Sequence, residues 1–194
     1  MQTFAQRRDA VRKLDKRGAI APFMIAAERL ARDFPKRTLA WLELGIAYSY
    51  VARYADAARA FDKSIRLCKP EYRDHPFAWK GQMFRYQGKL GLAEKYYRRA
   101  IEVSPRNPDW WAFLAAVLAR QGRLEEAKSA WRRQIKIGTG ATDEGHCNLG
   151  LIYRSEKRFK LALRHAEKAL QIDPDYPVAK ALREDLVEAL GGVS

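Results

Sequence analysis

The chain has 194 residues and a formal net charge of +14 at pH 7, with 37 lysines and arginines against 23 aspartates and glutamates. No stretch approaches the roughly 18 apolar residues of a membrane span, and no apolar signal-peptide core follows Met1, so we expect a cytoplasmic protein. The positive charge favours acidic proteins, nucleic acid or an anionic surface as partners.

The first two predicted elements are a helix over about residues 4–15, broken at Arg17-Gly18, and a second helix that closes at Pro35. Proline cannot continue a helix interior, which sets this second boundary. Prolines then recur at a regular spacing. Pro70, Pro105 and Pro174 follow Pro35 at intervals of 35, 35 and 69 residues, and the last interval is about two periods. A sustained period of this length indicates a stack of identical supersecondary units rather than one globular core.

Four further units follow the first, over residues 38–71, 74–107, 108–141 and 143–176. An alanine marks almost the same spacing in them: Ala57, Ala93, Ala127 and Ala162 lie 36, 34 and 35 residues apart. The unit 38–71 also carries the pattern W-x2-L-G-x2-Y, formed by Trp41, Leu44, Gly45 and Tyr48. This arrangement resembles the tetratricopeptide repeat, in which W-x2-L-G-x2-Y is followed by A-x3-F and then by a proline.

The resemblance covers about 140 of the 194 residues and implies an all-α fold, a right-handed superhelical solenoid of helix-turn-helix hairpins. We expect four good repeats, a degenerate repeat at residues 4–37 and a capping helix at residues 177–190. No Pro/Ser/Gly-rich linker interrupts the chain, so residues 1–194 are predicted to form a single domain.

Small residues are expected where the two helices of a hairpin meet. Gly45, Gly81 and Gly150 face the recurring alanines in this scheme and let the backbones approach, while Gly88 and Gly122 fit the turn between the helices. Large residues are expected to fill the space between neighbouring hairpins; they are Trp41, Tyr48, Phe61, Tyr97, Trp111, Trp131 and Tyr153.

The resemblance further implies a binding groove, because the first helix of each repeat lines the concave wall in this family. Counted from the first residue of a repeat, positions 2, 5, 6, 9, 12 and 13 point inward. The predicted partner-binding residues at these positions are Tyr50, Trp79, Gln82, Arg85, Tyr86, Phe113, Arg120, Asn148 and Arg154.

Two relations among these residues are predicted. Trp79 and Phe113 hold the same position in successive repeats, so we expect them to be neighbours on one wall. Arg85, Arg120 and Arg154 are expected to form a row along one rim, and aromatic anchors beside arginines are typical of a recognition hot spot. The alternative is that Trp79 packs inside the stack and that the arginines are only solvated.

One known family function is excluded by residue type. Some members hold the C-terminal carboxylate of a chaperone tail with lysine, asparagine and arginine at fixed inward positions. The corresponding residues are Ala78, Gln82, Phe113, Glu144 and Asn148 in one frame and Leu42, Ile46, Trp79, Asp109 and Phe113 in the other. Neither frame supplies the required set, so we do not expect this clamp.

The function predicted from the sequence is a non-enzymatic protein–protein interaction module, an adaptor or assembly scaffold that binds an acidic or apolar-anchored segment of a partner. RNA binding through the basic surface is the alternative, although much of the charge is spread over the predicted outer helices. Self-association through the ends of the stack is a further possibility. No cofactor or metal is expected, and Cys68 and Cys147 are interpreted as reduced thiols.

Overall fold

A computed structural model describes residues 2–138 and 142–191, and within these ranges the chain forms helices and no strand. The α-helices in this part of the chain are α1 Phe4–Lys16, α2 Ile20–Asp33, α3 Thr38–Tyr50, α4 Tyr54–Leu67, α5 Asp74–Tyr86, α6 Leu90–Val103, α7 Pro108–Arg120, α8 Leu124–Ile137, α9 Thr142–Ser155, α10 Phe159–Ile172 and α11 Pro177–Gly191. A 3-10 turn, Pro70–Tyr72, lies between α4 and α5. The predicted all-α class is confirmed.

The helices group into two compact units, Met1–Ser104 and Pro105–Ser194. The first unit contains the pairs α1–α2, α3–α4 and α5–α6, and the second contains the pairs α7–α8 and α9–α10 followed by α11. Each pair coincides with one predicted repeat, and α11 coincides with the predicted capping helix. Residues 139–141, the predicted end of the third repeat, lie outside the described residues. A single domain over the whole chain stays a prediction.

The turn inside each hairpin requires one residue in the left-handed region. Gly88 and Gly122 adopt φ values of 71° and 77° there, as the sequence predicted, and Gly18 adopts 66° in the degenerate repeat. In the other two hairpins the same place is held by Ala52 and Lys157, at φ values of 57° and 59°. A side chain in this conformation costs about 1–2 kcal/mol, so the geometry of the hairpin is imposed here against local preference.

Close contact between the paired helices depends on glycine, as predicted. A Cβ atom on Gly45 would lie 2.6 Å from a ring carbon of Phe61, and one on Gly81 would lie 3.0 Å from the ring of Tyr97. Gly150 is crowded in the same way, at 2.9 Å from Leu182 of α11 and 3.3 Å from the backbone oxygen of Ala162. The recurring alanines Ala57, Ala93, Ala127 and Ala162 are completely buried.

The large residues of the pattern divide into two groups. Phe61, Tyr97, Trp131 and Tyr153 are buried. They were predicted to fill the space between neighbouring hairpins, but Phe61 and Tyr97 lie against a glycine of their own hairpin. Trp41 and Trp111 are only partly buried, and the indole N–H of each donates to a proline carbonyl six residues earlier, Pro35 and Pro105, at 2.9 Å. These two tryptophans therefore also fix the turn that leads into their repeat.

Substitution of Gly45 by alanine tests the close approach of α3 and α4. We expect Gly45→Ala to lower the free energy of unfolding by about 1–3 kcal/mol, because the new methyl group overlaps the ring of Phe61. Gly91→Ala is the matched control, since nothing lies within 4 Å of a Cβ atom there and the helix gains up to about 1 kcal/mol. Urea denaturation followed by circular dichroism measures both; equal stability of the two variants would contradict the packing described.

Candidate functional site

A groove in the first unit is the candidate binding site. Its volume is about 660 Å³, and it is lined by α1, α3, α5 and the segment that joins α4 to α5. The apolar part of the lining includes Leu39, Leu42 and Ile46 of α3 together with Trp79 of α5. These α3 residues hold the inward positions 2, 5 and 9 of their repeat, so the helix face that the sequence assigned to the groove does line it.

The first helix adds charge to this apolar surface. Arg8 of α1 donates through Nε to Oε1 of Glu43 on α3 at 2.9 Å, and the Glu43 side chain is only 4% exposed. Burial raises the pKa of Glu43, and the positive charge of Arg8 opposes that rise. Arg8 is therefore the cation that stabilises the charged form of this buried carboxyl group. Arg12, one turn further along α1, is exposed and also lines the groove.

The connection between α4 and α5 forms the rim of the groove. It is two residues longer than the connection between α6 and α7, because residues 72 and 73 separate the repeats 38–71 and 74–107. The additional length forms the 3-10 turn, which is held by a hydrogen bond from Arg73 Nε to the Cys68 carbonyl at 3.1 Å. Tyr72 is left 65% exposed on this rim. An exposed aromatic ring beside an apolar groove offers additional contact area to a bound segment.

Charges in the lining of the groove balance. The cations are Arg8, Arg12 and Lys69, and the carboxylates are Asp15, Glu43 and Asp74. The excess of positive charge in the whole chain is therefore not concentrated in this groove. Its apolar residues are the feature that distinguishes it from the surrounding surface.

The predicted site residues of the first unit have different surroundings. Trp79 is partly buried and lines the groove, whereas Gln82 is buried and accepts a hydrogen bond of 2.8 Å from the Tyr97 hydroxyl. Tyr50 contacts the ring of Phe23, with 6.0 Å between centroids. Burial, together with the nearby charge of Asp15, raises the pKa of Tyr50 to about 12.

Arg85 and Tyr86 form a second pair in this unit. The guanidinium carbon of Arg85 lies 6.0 Å from the ring centroid of Tyr86, which is 48% exposed. The Nε atom of Arg85 is buried and has no hydrogen-bond partner among the described residues.

In the second unit, two predicted residues are engaged by the protein itself. Arg154 forms an ion pair of 2.6 Å with Asp185 of α11, and Asn148 donates to the backbone oxygen of Glu144 at 2.9 Å. Phe113 packs beside Trp110 with 5.8 Å between ring centroids, and Arg120 is exposed at the end of α7. Because Trp79 and Arg85 belong to the first unit, the predicted Trp79–Phe113 contact and the arginine row stay predictions.

Arg8, Arg12 and Tyr72 line the groove but are absent from the residues predicted to bind a partner. The two arginines could have been found, because counting from Phe4 places Arg8 at position 5 and Arg12 at position 9, both inward. The degenerate sequence of that repeat conceals them. Tyr72 lies in a two-residue insertion, for which the repeat pattern specifies no position.

Neither cysteine forms a disulfide, and both are buried. Burial raises the pKa of the Cys68 and Cys147 thiols, so the thiolate form is disfavoured. Within residues 2–138 and 142–191, no group of three or more His, Cys, Asp or Glu side chains is placed to hold a metal ion. Of the helices described, none combines the length and the apolar character that crossing a membrane requires.

Consecutive helix pairs, a left-handed turn residue in each pair and glycine at the closest approach define a class of protein built from helical hairpin repeats. Family models described as tetratricopeptide repeat match residues 144–176 and 80–141. The chain belongs to the tetratricopeptide repeat family.

Curated relatives share a minor part of their length with this chain. The anaphase-promoting complex subunit CDC16 of Saccharomyces cerevisiae is 20% identical over 237 residues, covering 84% of this chain and 28% of that protein. DnaJ homolog subfamily C member 7 of Homo sapiens is 28% identical over 142 residues, covering 66% of this chain and 29% of that protein. The chain thus spans less than a third of these two relatives.

Solved structures show the same fold. MamA matches with a TM-score of 0.68 at 20% identity, over 82% of this chain and 91% of that one. YrrB, described as a TPR protein with an unusual peptide-binding site, matches with a TM-score of 0.66 at 19% identity, over 92% of this chain and 91% of that one. The APC/C hetero-tetramer Cut9-Hcn1 matches with a TM-score of 0.73 at 18% identity, over 91% of this chain and 35% of that one. At these identities the likeness establishes the fold alone.

Removal of Arg8 tests the ion pair in the groove. We expect Arg8→Ala to lower the free energy of unfolding by about 1–3 kcal/mol at pH 7, because the buried Glu43 carboxylate then lacks its partner. The cost shrinks as the pH falls through the raised pKa of Glu43, since a protonated carboxyl needs no cation. Thermal melts at neutral and acidic pH, with Arg8→Ala/Glu43→Gln as the control that removes both charges, measure this difference. A cost independent of pH would contradict it.

Proposed function

We propose that the groove of the first unit binds a segment of a partner protein, and that the chain acts through it as a non-enzymatic adaptor or assembly scaffold. The observation that carries the proposal is the apolar lining formed by Leu39, Leu42, Ile46 and Trp79 at the inward positions of successive repeats. The relatives in assembled complexes and the peptide-binding structural neighbour support it by analogy of fold.

The apolar residues supply the affinity in this proposal. A side chain of the partner that enters the groove removes apolar surface of Trp79 and α3 from water, and about 25 cal/mol is gained for each Å² so buried. Tryptophan is frequent among residues whose truncation costs most at interfaces. Trp79 is therefore assigned as the main anchor, with Tyr72 extending the contact over the rim.

Charge selects among apolar segments. Glu43 already neutralises Arg8, so an incoming carboxylate is directed to the exposed Arg12 and to Lys69. Arginine pairs with carboxylates through two parallel hydrogen bonds, which fixes the direction of a bound segment. An apolar residue flanked by an acidic one is accordingly the partner segment that this groove fits.

Photo-crosslinking identifies the partner and the site together. A photoreactive phenylalanine analogue replaces Tyr72 on the groove rim, and the same analogue replaces Leu92, which is 41% exposed on α6, as the control. Both proteins are irradiated in native lysate, in one sample with nuclease treatment and in another without it. A protein captured from position 72 and absent from position 92 supports the proposal, whereas capture that disappears with nuclease treatment would favour the nucleic-acid alternative.

Affinity measurements then test the anchor. We expect Trp79→Ala to weaken binding of the crosslinked segment by about 30-fold or more, the effect of a hot-spot residue, and Leu92→Ala to leave it within twofold. Isothermal titration calorimetry with a synthetic peptide gives both values, after circular dichroism has shown that each variant remains helical. Equal affinity of the two variants would place the site away from the groove.

A further inference from the structure

Each of the four good repeats carries a recurring pair of residues, one on its first helix and one on its second. Position 4 of each repeat is held by Trp41, Phe77, Trp111 and His146, and position 26 by Lys63, Arg99, Arg133 and Lys168. In the first three repeats the cation lies over the aromatic ring, at 4.1 Å for Lys63 on Trp41, 4.0 Å for Arg99 on Phe77 and 5.9 Å for Arg133 on Trp111. Such a contact stabilises the cation through the negative face of the ring.

The fourth repeat departs from this pattern. His146 replaces the aromatic ring, so the residue opposite Lys168 is a base that can itself become positive. In the fourth repeat the same arrangement would place two positive charges side by side whenever His146 is protonated. Departures from a locally consistent pattern concentrate at functional sites, so His146 marks a candidate site.

His146 belongs to a cluster of basic groups, here called the basic cluster, made of Arg132, His146, His165 and Lys168. Nδ1 of His146 lies 3.0 Å from Nδ1 of His165, and the ring of His165 lies 5.3 Å from that of Tyr153. Arg132 of α8 donates to the Tyr153 hydroxyl at 2.6 Å. Helices α8, α9 and α10 of the second unit therefore bring Arg132 and His165 to Tyr153, with His146 against His165 and the charge of Lys168 acting on both imidazoles. Lys128 and Arg158 also lie over the Tyr153 ring, at 5.3 and 5.0 Å.

Carboxylates near the basic cluster form their ion pairs with other cations, although the charge of Arg132 is among those that lower the pKa of Glu125. Glu125 and Glu156 both pair with Lys128, at 2.6 and 2.5 Å, and Glu156 also lies 3.8 Å from Arg158. Asp185 of α11, the remaining helix packed on α10, pairs with Arg154. Within the two described ranges, Arg132 and Lys168 are exposed and make no ion pair with a carboxylate.

The pKa values of the two imidazoles are lowered, in part by this excess of positive charge. Burial, together with the nearby charges of His146, Lys168 and Arg132, lowers the pKa of His165 to about 4. Burial and Lys168 likewise lower the pKa of His146. An anion placed among these groups would remove the repulsion and restore their affinity for protons.

We propose that the basic cluster binds a compact anion of the phosphomonoester class, held by Arg132 and Lys168, and that His165 and His146 gain affinity for a proton when it is bound. The site lies in the second unit and is independent of the groove proposed above. A phosphomonoester suits it because a single group places up to two negative charges and three acceptor oxygens at one point, which matches a compact group of basic side chains. A phosphodiester backbone instead requires cations that follow a track, and the basic cluster is confined to one position.

The three histidines of the chain make proton magnetic resonance the direct test. His75 lies in the first unit and is an internal reference for His146 and His165. We expect phenyl phosphate to raise the titration midpoints of His146 and His165 by about one pH unit, equivalent to tenfold tighter binding by the protonated protein, and to leave His75 unchanged. Sulfate, whose charge is constant over this range, should bind more tightly as the pH falls.

Charge variants locate the site. Lys168→Ala and Arg132→Gln are each expected to weaken phenyl phosphate binding by about tenfold, the loss of one charge-assisted hydrogen bond. Arg164→Ala removes an exposed cation from the same helix outside the basic cluster and should change the affinity less than twofold. His165→Phe should abolish the proton uptake on binding, and circular dichroism confirms that each variant is folded.

Three results would overturn the proposal. One is a shift of His75 equal to that of His146 and His165, which indicates general screening. Another is an effect of Arg164→Ala as large as that of Lys168→Ala. The third is an RNA oligonucleotide that binds through the same residues more tightly than phenyl phosphate, which would make the surface a phosphodiester site.

Discussion

The structure depends on how closely the two helices of each hairpin approach. At Gly45 and Gly81 the partner helix places an aromatic ring where a Cβ atom would lie, and the alanines Ala57 and Ala93 of that helix are fully buried. Close packing of this kind is intolerant of an added methyl group because interiors are as dense as organic crystals. The separation of the paired helices fixes in turn which face of α3 and α5 remains for the groove. A binding surface in a repeat protein is thus a consequence of small residues on the opposite face.

Buried charge adds specificity to this apolar framework. Lys80 occupies position 7 of its repeat, where the other repeats have Leu44, Leu114 and Leu149, and it bonds to Asp62 of α4 at 2.5 Å. Lys128 is buried as well; burial alone would lower its pKa, but hydrogen bonds to Glu125 and Glu156 raise it. Buried ion pairs add little net stability, since desolvation offsets their attraction, but a mispaired partner is costly. We interpret both pairs as contacts that specify which repeats pack together.

Charge is distributed differently in the two places proposed to bind ligands. The groove balances its cations with carboxylates and offers an apolar surface, whereas Arg132 and Lys168 of the basic cluster form no ion pair with a carboxylate in the described part of the chain. The net charge of +14 is therefore carried by residues outside the lining of the groove. A protein with two such surfaces could hold an apolar segment and a phosphorylated group at separate positions, which is useful in an adaptor. Neither property follows from the total charge, because the effect of a charge depends on what lies within a few ångströms of it.

The sequence by itself determined the repeat length, the pairing of helices, the turn glycines Gly88 and Gly122 and the glycines of closest approach, because each repeat must satisfy the same local packing rule. It gave no sign that Ala52 and Lys157 hold the left-handed turn position in two other hairpins. It also assigned Leu39, Leu42 and Trp79 to the inner face through their positions in the repeat. Only the tertiary structure showed that Arg8 reaches Glu43, that Asp185 neutralises Arg154, and that Gln82 is bound by Tyr97. These contacts join residues between 15 and 35 positions apart on different helices. A periodic pattern specifies which face a side chain occupies, but the partner it meets there depends on how the helices pack in three dimensions.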